Sequence, residues 1–352
     1  MPTDRRVLLA EARYRRAVLF AVGNGAVTCR ACPHACRLTP GEAGRCGVRH
    51  CRDGSLYALW GYLSYARLDP VERKPLYHLH PGTKVYSIGT VGCTFTCPFC
   101  QNHAISQEYA SYPLTWAPPP LVIRAARQHG AHGIAFTFNE PVVSAEYVHD
   151  VARYAKRRGL YTVMVTNGYL SPEATRYLAP VIDGVSVGIK RFDEAYYEKT
   201  LGASLKELKK SVSFLTTQFR HVEVSYLVTR GDESYDTFLT YLSGLGTGIP
   251  LHLERYFPAY RGTESEPDAS LLAEAYDLAH GRGIEHVYVA DCAGNGRERT
   301  ICPGCGATLV EREGSLVEPS VSCHCAIPAF VRDATDESGR CPSCGAQVLR
   351  KD

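Results

Sequence analysis

Seven short runs rich in β-branched and aromatic residues recur along the middle of the chain: KVYSIGT (84–90), GIAFTF (133–138), LYTVMVT (160–166), DGVSVGI (183–189), HVEVSYLV (221–228), PLHLERY (250–256) and EHVYVA (285–290). Between them lie amphipathic segments such as PPLVIRAARQHG and VVSAEYVHDVARYAKRRG. Strands alternating with helices in this way predict a parallel α/β architecture, here a partial (β/α)6-type TIM barrel. That prediction directs the search for function, because such barrels gather their working groups at the C-terminal ends of the strands.

The barrel, expected over 81–291, is flanked by two cysteine-rich regions, 1–80 and 292–352, and the chain holds fifteen cysteines in all. Their tight clustering and odd number favour metal sites over a disulfide framework. The first twenty residues are amphipathic, with Arg5, Arg6, Arg13, Arg15 and Arg16 among the apolar positions, and they form no uninterrupted signal-peptide core. No apolar run is long enough to span a membrane, so the expected location is cytoplasmic. A net charge of +3 from mixed charges gives no electrostatic reason to expect nucleic acid.

Cys93, Cys97 and Cys100 follow the first run directly, in VGCTFTCPFCQN. Three thiolates can hold three irons of a four-iron cluster and leave the fourth iron open, as a catalytic zinc keeps one open position. A zinc site completed by His103, or a cluster with a remote fourth cysteine, is the alternative. The residues after the other runs are Asn139-Glu140-Pro141, Thr166-Asn167-Gly168 and Lys190-Arg191, with His252 and Glu254 inside the sixth run. Together they suit a zwitterionic ligand. Singly, each has an ordinary reading: Asn139 as a helix N-cap, Asn-Gly as a turn, Lys190 as a solvated charge.

With these motifs in order, the chain resembles the radical S-adenosylmethionine (SAM) superfamily on the branch of the pyruvate formate-lyase activating enzymes. CRACPHACRLTPGEAGRCGVR, DPVERKPLYHLHPG, SIGTVGCTFTCPFCQN, FNEP, VTNGY and PLHLERYFPAY further resemble the AmmeMemoRadiSam system radical SAM enzymes. The resemblance implies a [4Fe-4S] cluster on Cys93, Cys97 and Cys100 that chelates SAM, and Phe99 against its adenine. It also implies Asn139 and Glu140 near the methionine amino group, Asn167 near the sugar or carboxylate, Lys190 on the carboxylate, and His252 near the adenosyl end. An electron donor such as flavodoxin or ferredoxin is implied with them. The substrate could be a peptide, a protein, a small molecule or the glycine of a partner enzyme. Where the family reads Asp-x-Lys, this chain has Gly188 before Lys190, with Asp193 as a candidate replacement.

Cys29, Cys32, Cys36 and Cys46 can close a second site, holding zinc or an auxiliary iron–sulfur cluster, and Cys302, Cys305, Cys341 and Cys344 have the paired-knuckle spacing of a zinc ribbon. An iron–sulfur cluster is the alternative there as well. Cys51 and Cys292 read as free thiols, His34 and His50 as bystanders, and Cys323-His324-Cys325 as extra ligands or a loop. A non-catalytic zinc-binding interaction module is the competing reading of the whole chain.

Overall fold

The computed structural model describes residues 14–289, 296–315 and 327–351, so the expected roles of Cys292, Cys323, His324 and Cys325 lie outside the described residues. All seven runs form strands of one sheet, joined by an eighth. The strands are β1 (Tyr65–Pro70), β2 (Lys84–Gly89), β3 (Gly133–Phe136), β4 (Tyr161–Thr166), β5 (Gly184–Ile189), β6 (Val222–Val228), β7 (Leu251–Arg255) and β8 (Val287–Val289). Strands β2 to β8 are parallel and in sequence order, while β1 pairs antiparallel with β2 along the edge. The fold is therefore α/β with a largely parallel sheet. The sequence boundary at residue 80 needs correcting, because β1 carries residues 65–70 of the expected N-terminal region into the sheet.

Six helices make the crossovers: α1 (Pro119–Gln128), α2 (Ala145–Lys156), α3 (Pro172–Leu178), α4 (Leu205–Gln218), α5 (Tyr235–Leu245) and α6 (Ala269–Gly281). Parallel neighbours require such connections. Capping marks several starts: Ser171 accepts from Ala174 N before α3, Ser204 from Glu207 N before α4, and Asp268 from Leu271 N before α6.

The strands alternate with period two, and the two faces differ in chemistry. Val185, Val187 and Ile189 of β5, Val224 and Tyr226 of β6, and Leu251 and Leu253 of β7 join the helices in the main apolar core. The opposite face carries Ser87, Ser186, Glu223, Ser225 and His252, all buried. A polar inner face on a buried sheet needs partners or a ligand.

At the N-terminal ends of the strands those partners are supplied by protein. Glu223 accepts from the Tyr77 and His78 amides at 3.0 and 2.8 Å, and bonds His221 and His252 at 2.8 and 2.6 Å. Burial alone would raise its pKa, but the two histidines hold the carboxyl well below its ordinary range. The tail packs against this end: Arg312 donates to Tyr77 O at 2.6 Å, and Arg350 N to His78 O at 2.7 Å.

Candidate functional site

The opposite end of the sheet opens into a cleft. Residues 90–102 turn over the end of β2 and bring Cys93, Cys97 and Cys100 to one wall. Gly92 permits this path, since at φ +87° an added Cβ would lie 2.7 Å from the Cys46 carbonyl oxygen. Burial raises all three thiols, Cys97 to about 12, and the Lys190 charge opposes the shift at Cys97 and Cys100. Among the described residues, the cleft is lined by these three cysteines and no histidine. His103 turns elsewhere, onto Glu108 at 3.2 Å and the Tyr260 ring, so it does not complete a zinc site.

Asn139 lines the cleft and also holds the cysteine loop. Its Oδ1 accepts from Thr90 N at 2.9 Å, and its Nδ2 donates to Thr90 Oγ1 at 3.0 Å and Gly92 O at 2.8 Å. With both amide hydrogens engaged, it positions the cysteine loop from the cleft wall. Asn139 is not the cap of the following turn. Glu140 takes that place, accepting from Val142 N at 3.1 Å.

Glu140 is buried and also accepts from Thr166 Oγ1 at 2.9 Å and Asn167 N at 2.8 Å. Burial pushes its carboxyl up to about 7 despite these bonds, so a cationic ligand group beside it would favour the ionised form. Asn167 Nδ2 donates to Thr94 Oγ1 at 2.8 Å and stands 3.9 Å from Cys93 Sγ. Lys190 projects into the same cleft, and among the described residues its ammonium has no ion-pair partner. Phe99 lines the cleft edge-on to Tyr256, with ring centroids 5.6 Å apart.

Gly188 also lines the cleft, where a Cβ would lie 3.2 Å from Lys190 Nζ. The missing side chain leaves room for that ammonium. Asp193 does not replace the acidic residue: it caps a turn by accepting from Tyr196 N at 2.6 Å and faces a separate surface pocket. His252 is a further correction. It lies one inward-facing residue below Glu254 on β7, fully buried against Tyr77, Tyr288 and Glu223, outside the cleft. Sequence reasoning missed Tyr256 and the charged segment Arg67, Asp69, Arg73 and Lys74, which also lines the cleft. The density of charge in RLDPVERK was the available signal.

The flanking cysteines form two groups of different kinds. Cys302, Cys305, Cys341 and Cys344 place their sulfurs within 4.8 Å of one another, with 3.5 and 3.6 Å across two pairs. A tetrahedral ion with metal–sulfur bonds of about 2.3 Å sets its sulfurs about 3.8 Å apart, so this quartet fits a single ion. Cys29, Cys32, Cys36 and Cys46 instead surround a small cavity behind the cysteine loop, shared with His34, Arg45, Arg49 and Thr94. His34 bonds Thr94 O at 2.8 Å, His50 packs on Tyr14, and Cys51 is a buried free thiol.

Residues 87–240 match the Radical SAM superfamily model. The chain is 32% identical over 330 residues to the uncharacterized protein MJ0808 of Methanocaldococcus jannaschii, covering 92% of this chain and 95% of that protein. It is 23% identical over 149 residues to the pyruvate formate-lyase 1-activating enzyme of Escherichia coli K12, which spans 40% of this chain and 59% of that enzyme. A radical SAM methyltransferase from Sphaerobacter thermophilus superposes with a TM-score of 0.45 at 16% identity, over 60% of this chain and 67% of the other. No described helix is long and apolar enough to cross a membrane.

Proposed function

The chain belongs to the radical SAM superfamily, and from that premise we propose that it is an enzyme that cleaves SAM reductively and takes a hydrogen atom from a peptide, protein or small-molecule substrate. One observation carries the reading: three half-buried cysteines share a cleft with a buried carboxylate, an amide and an ammonium that has no ion-pair partner among the described residues. Membership implies a [4Fe-4S] cluster and SAM, and the residues present fit both. Cys93, Cys97 and Cys100 would hold three irons. Lys190 would pair with the SAM carboxylate, Glu140 with its ammonium, and Phe99 and Tyr256 would border the adenine.

When bound, these groups supply a one-electron cleavage of the C5′–S bond, giving methionine and a 5′-deoxyadenosyl radical, with the electron from a donor of flavodoxin or ferredoxin type. The protein's part is placement and isolation. Asn139 fixes the loop that carries the ligands, Asn167 and Thr94 brace Cys93, and the buried wall of Glu140 and Thr166 keeps water from the ligand's polar end. The curved sheet of a partial barrel would enclose the reacting atoms. For the tail quartet we propose zinc, since four sulfurs at this spacing suit one tetrahedral ion. Cys29, Cys32, Cys36 and Cys46 are proposed as ligands of a second centre, with zinc and iron–sulfur distinguished by metal analysis.

Activation of a partner's glycine is a second reading, supported by the similarity to the activating enzyme. The test of the main reading is direct. Anaerobically reconstituted protein given dithionite and SAM should form 5′-deoxyadenosine, and Cys97→Ala should abolish it. Wild-type protein with a full cluster and no cleavage would overturn the assignment.

A further inference from the structure

The floor of the cleft is built by residues outside the repeating strand–helix units. Strand β1 and the turn after it bring Arg67, Asp69, Arg73 and Lys74 to the cavity that holds the cysteine triad. Asp69 is fully buried and receives Arg67 Nε at 2.7 Å, Arg73 Nη1 at 3.2 Å and Lys74 Nζ at 2.7 Å. The Arg73 and Lys74 side chains are 3% and 4% exposed. Three cations thus share one carboxylate, and among the described residues no other carboxylate pairs with Arg73 or Lys74.

A structural pin between β1 and the turn would need one cation for one carboxylate. The excess is costly, because a buried charge without compensation destabilises a fold. Arg73 sharpens the point: its Nε and Nη2 are buried and have no hydrogen-bond partner. These two atoms lie on one edge of the guanidinium, the edge that meets a carboxylate or phosphate with two parallel bonds, while Nη1 on the other side is held by Asp69. The surplus charge is felt at Lys74, which burial pushes down to about 8, with Arg73 and Arg67 adding to the shift and Asp69 opposing it.

The floor also adjoins the wall of the proposed SAM site. Lys74 Nζ lies 5.0 Å from the centre of the Phe138 ring, and Phe138, at φ +72°, directly precedes Asn139 and Glu140. Lys190, the expected partner of the SAM carboxylate, comes instead from the end of β5.

We propose that Arg73 and Lys74 form a subsite for an anionic group, a carboxylate or a phosphate, on the molecule that gives up the hydrogen atom. The identification of that molecule as substrate rests on the radical SAM reading; the anion site itself does not. Asp69 orients the two cations, and the free edge of Arg73 supplies the directional contact.

The test uses reconstituted full-length holoenzyme saturated with SAM, titrated at constant ionic strength with inorganic phosphate and, separately, with succinate, and followed by thermal shift and calorimetry. Saturable stabilisation is expected with at least one of them, and at least tenfold weaker binding in Arg73→Met and in Lys74→Met. Tighter phosphate binding points to a phosphorylated substrate, and tighter succinate binding to a carboxylate. No saturable effect in the wild type overturns the proposal, whatever the variants do. Equal binding in a folded variant also overturns it, as does an effect that appears only without SAM, which would place the anion at Lys190. Formation of 5′-deoxyadenosine in the same preparation is scored separately, so failure of the radical reading is distinguishable from failure of the anion site.

Discussion

The two ends of the sheet are made from similar residue types and treat them in opposite ways. At the N-terminal end, Glu223 gathers two backbone amides and two histidines, and Arg312 reaches from the tail to the Tyr77 carbonyl. At the C-terminal end, Lys190 has no ion-pair partner among the described residues, and Glu140 is held up to about 7 by burial. Paired charges hold domains together, whereas charges left incomplete mark where a ligand completes them. The cysteines divide in the same way. The tail quartet closes on itself, while the triad faces an open cleft.

The strongest way to break this contrast is to exchange the fates of the two cysteine groups. Cys97→Ala should remove the cluster's iron and all 5′-deoxyadenosine formation, leaving the zinc proposed for the tail in place. Cys341→Ala should remove the zinc, lower the melting temperature and leave the triad's iron, because the tail packs at the far end. Metal analysis of both variants, with EPR on the reduced proteins, checks this. Loss of the triad's iron in Cys341→Ala would show that the two ends are not independent.

Next in size is His252→Leu. It leaves buried Glu223 short of a partner and should cost about 3 kcal/mol of stability without changing SAM affinity. The sign of the pH effect follows from the depressed Glu223 carboxyl. Its contribution is present above the unfolded pKa of about 4.3 and is lost as pH falls toward the lower folded value. Denaturation between pH 3 and 7, a range set about that unfolded value, should therefore show less loss of stability with acid in the variant than in the wild type.

Glu140→Gln should weaken SAM binding about tenfold, the scale of one charge-assisted contact, while sparing iron. Equilibrium dialysis and an iron assay separate the two, and loss of iron would make Glu140 a structural residue. The smallest effect is expected from Gly188→Ala, whose Cβ would crowd Lys190 Nζ at 3.2 Å. A few-fold rise in the SAM dissociation constant would fit a lysine that must move, and unchanged affinity would break that link.

Much of this was legible before folding. Period-two alternation and the spacing of amphipathic segments located seven of the eight sheet strands, and local knuckle spacing identified the tail quartet. What escaped depended on pairing across long sequence distances. Strand β1 lay hidden in a cysteine-rich segment, because its antiparallel register with β2 is set by the sheet edge. His252 stood in a promising motif, but its side chain is committed to Glu223, and Asn139 lines the cleft while also tying Thr90 and Gly92 together. A motif fixes a residue's position along a strand. Which neighbour takes up its hydrogen bonds is decided only when the layers meet.

Strand β2, which carries the cysteine loop, is paired on both sides, with β1 on one edge and β3 on the other. Fraying that strand would require opening two ladders at once, so its amides should rank among the slowest to exchange with solvent. The loop's anchor is thus independent of its metal. A cluster stripped by oxygen would leave behind a folded scaffold able to take up iron and sulfide again, so damage at the site would call for refilling rather than resynthesis.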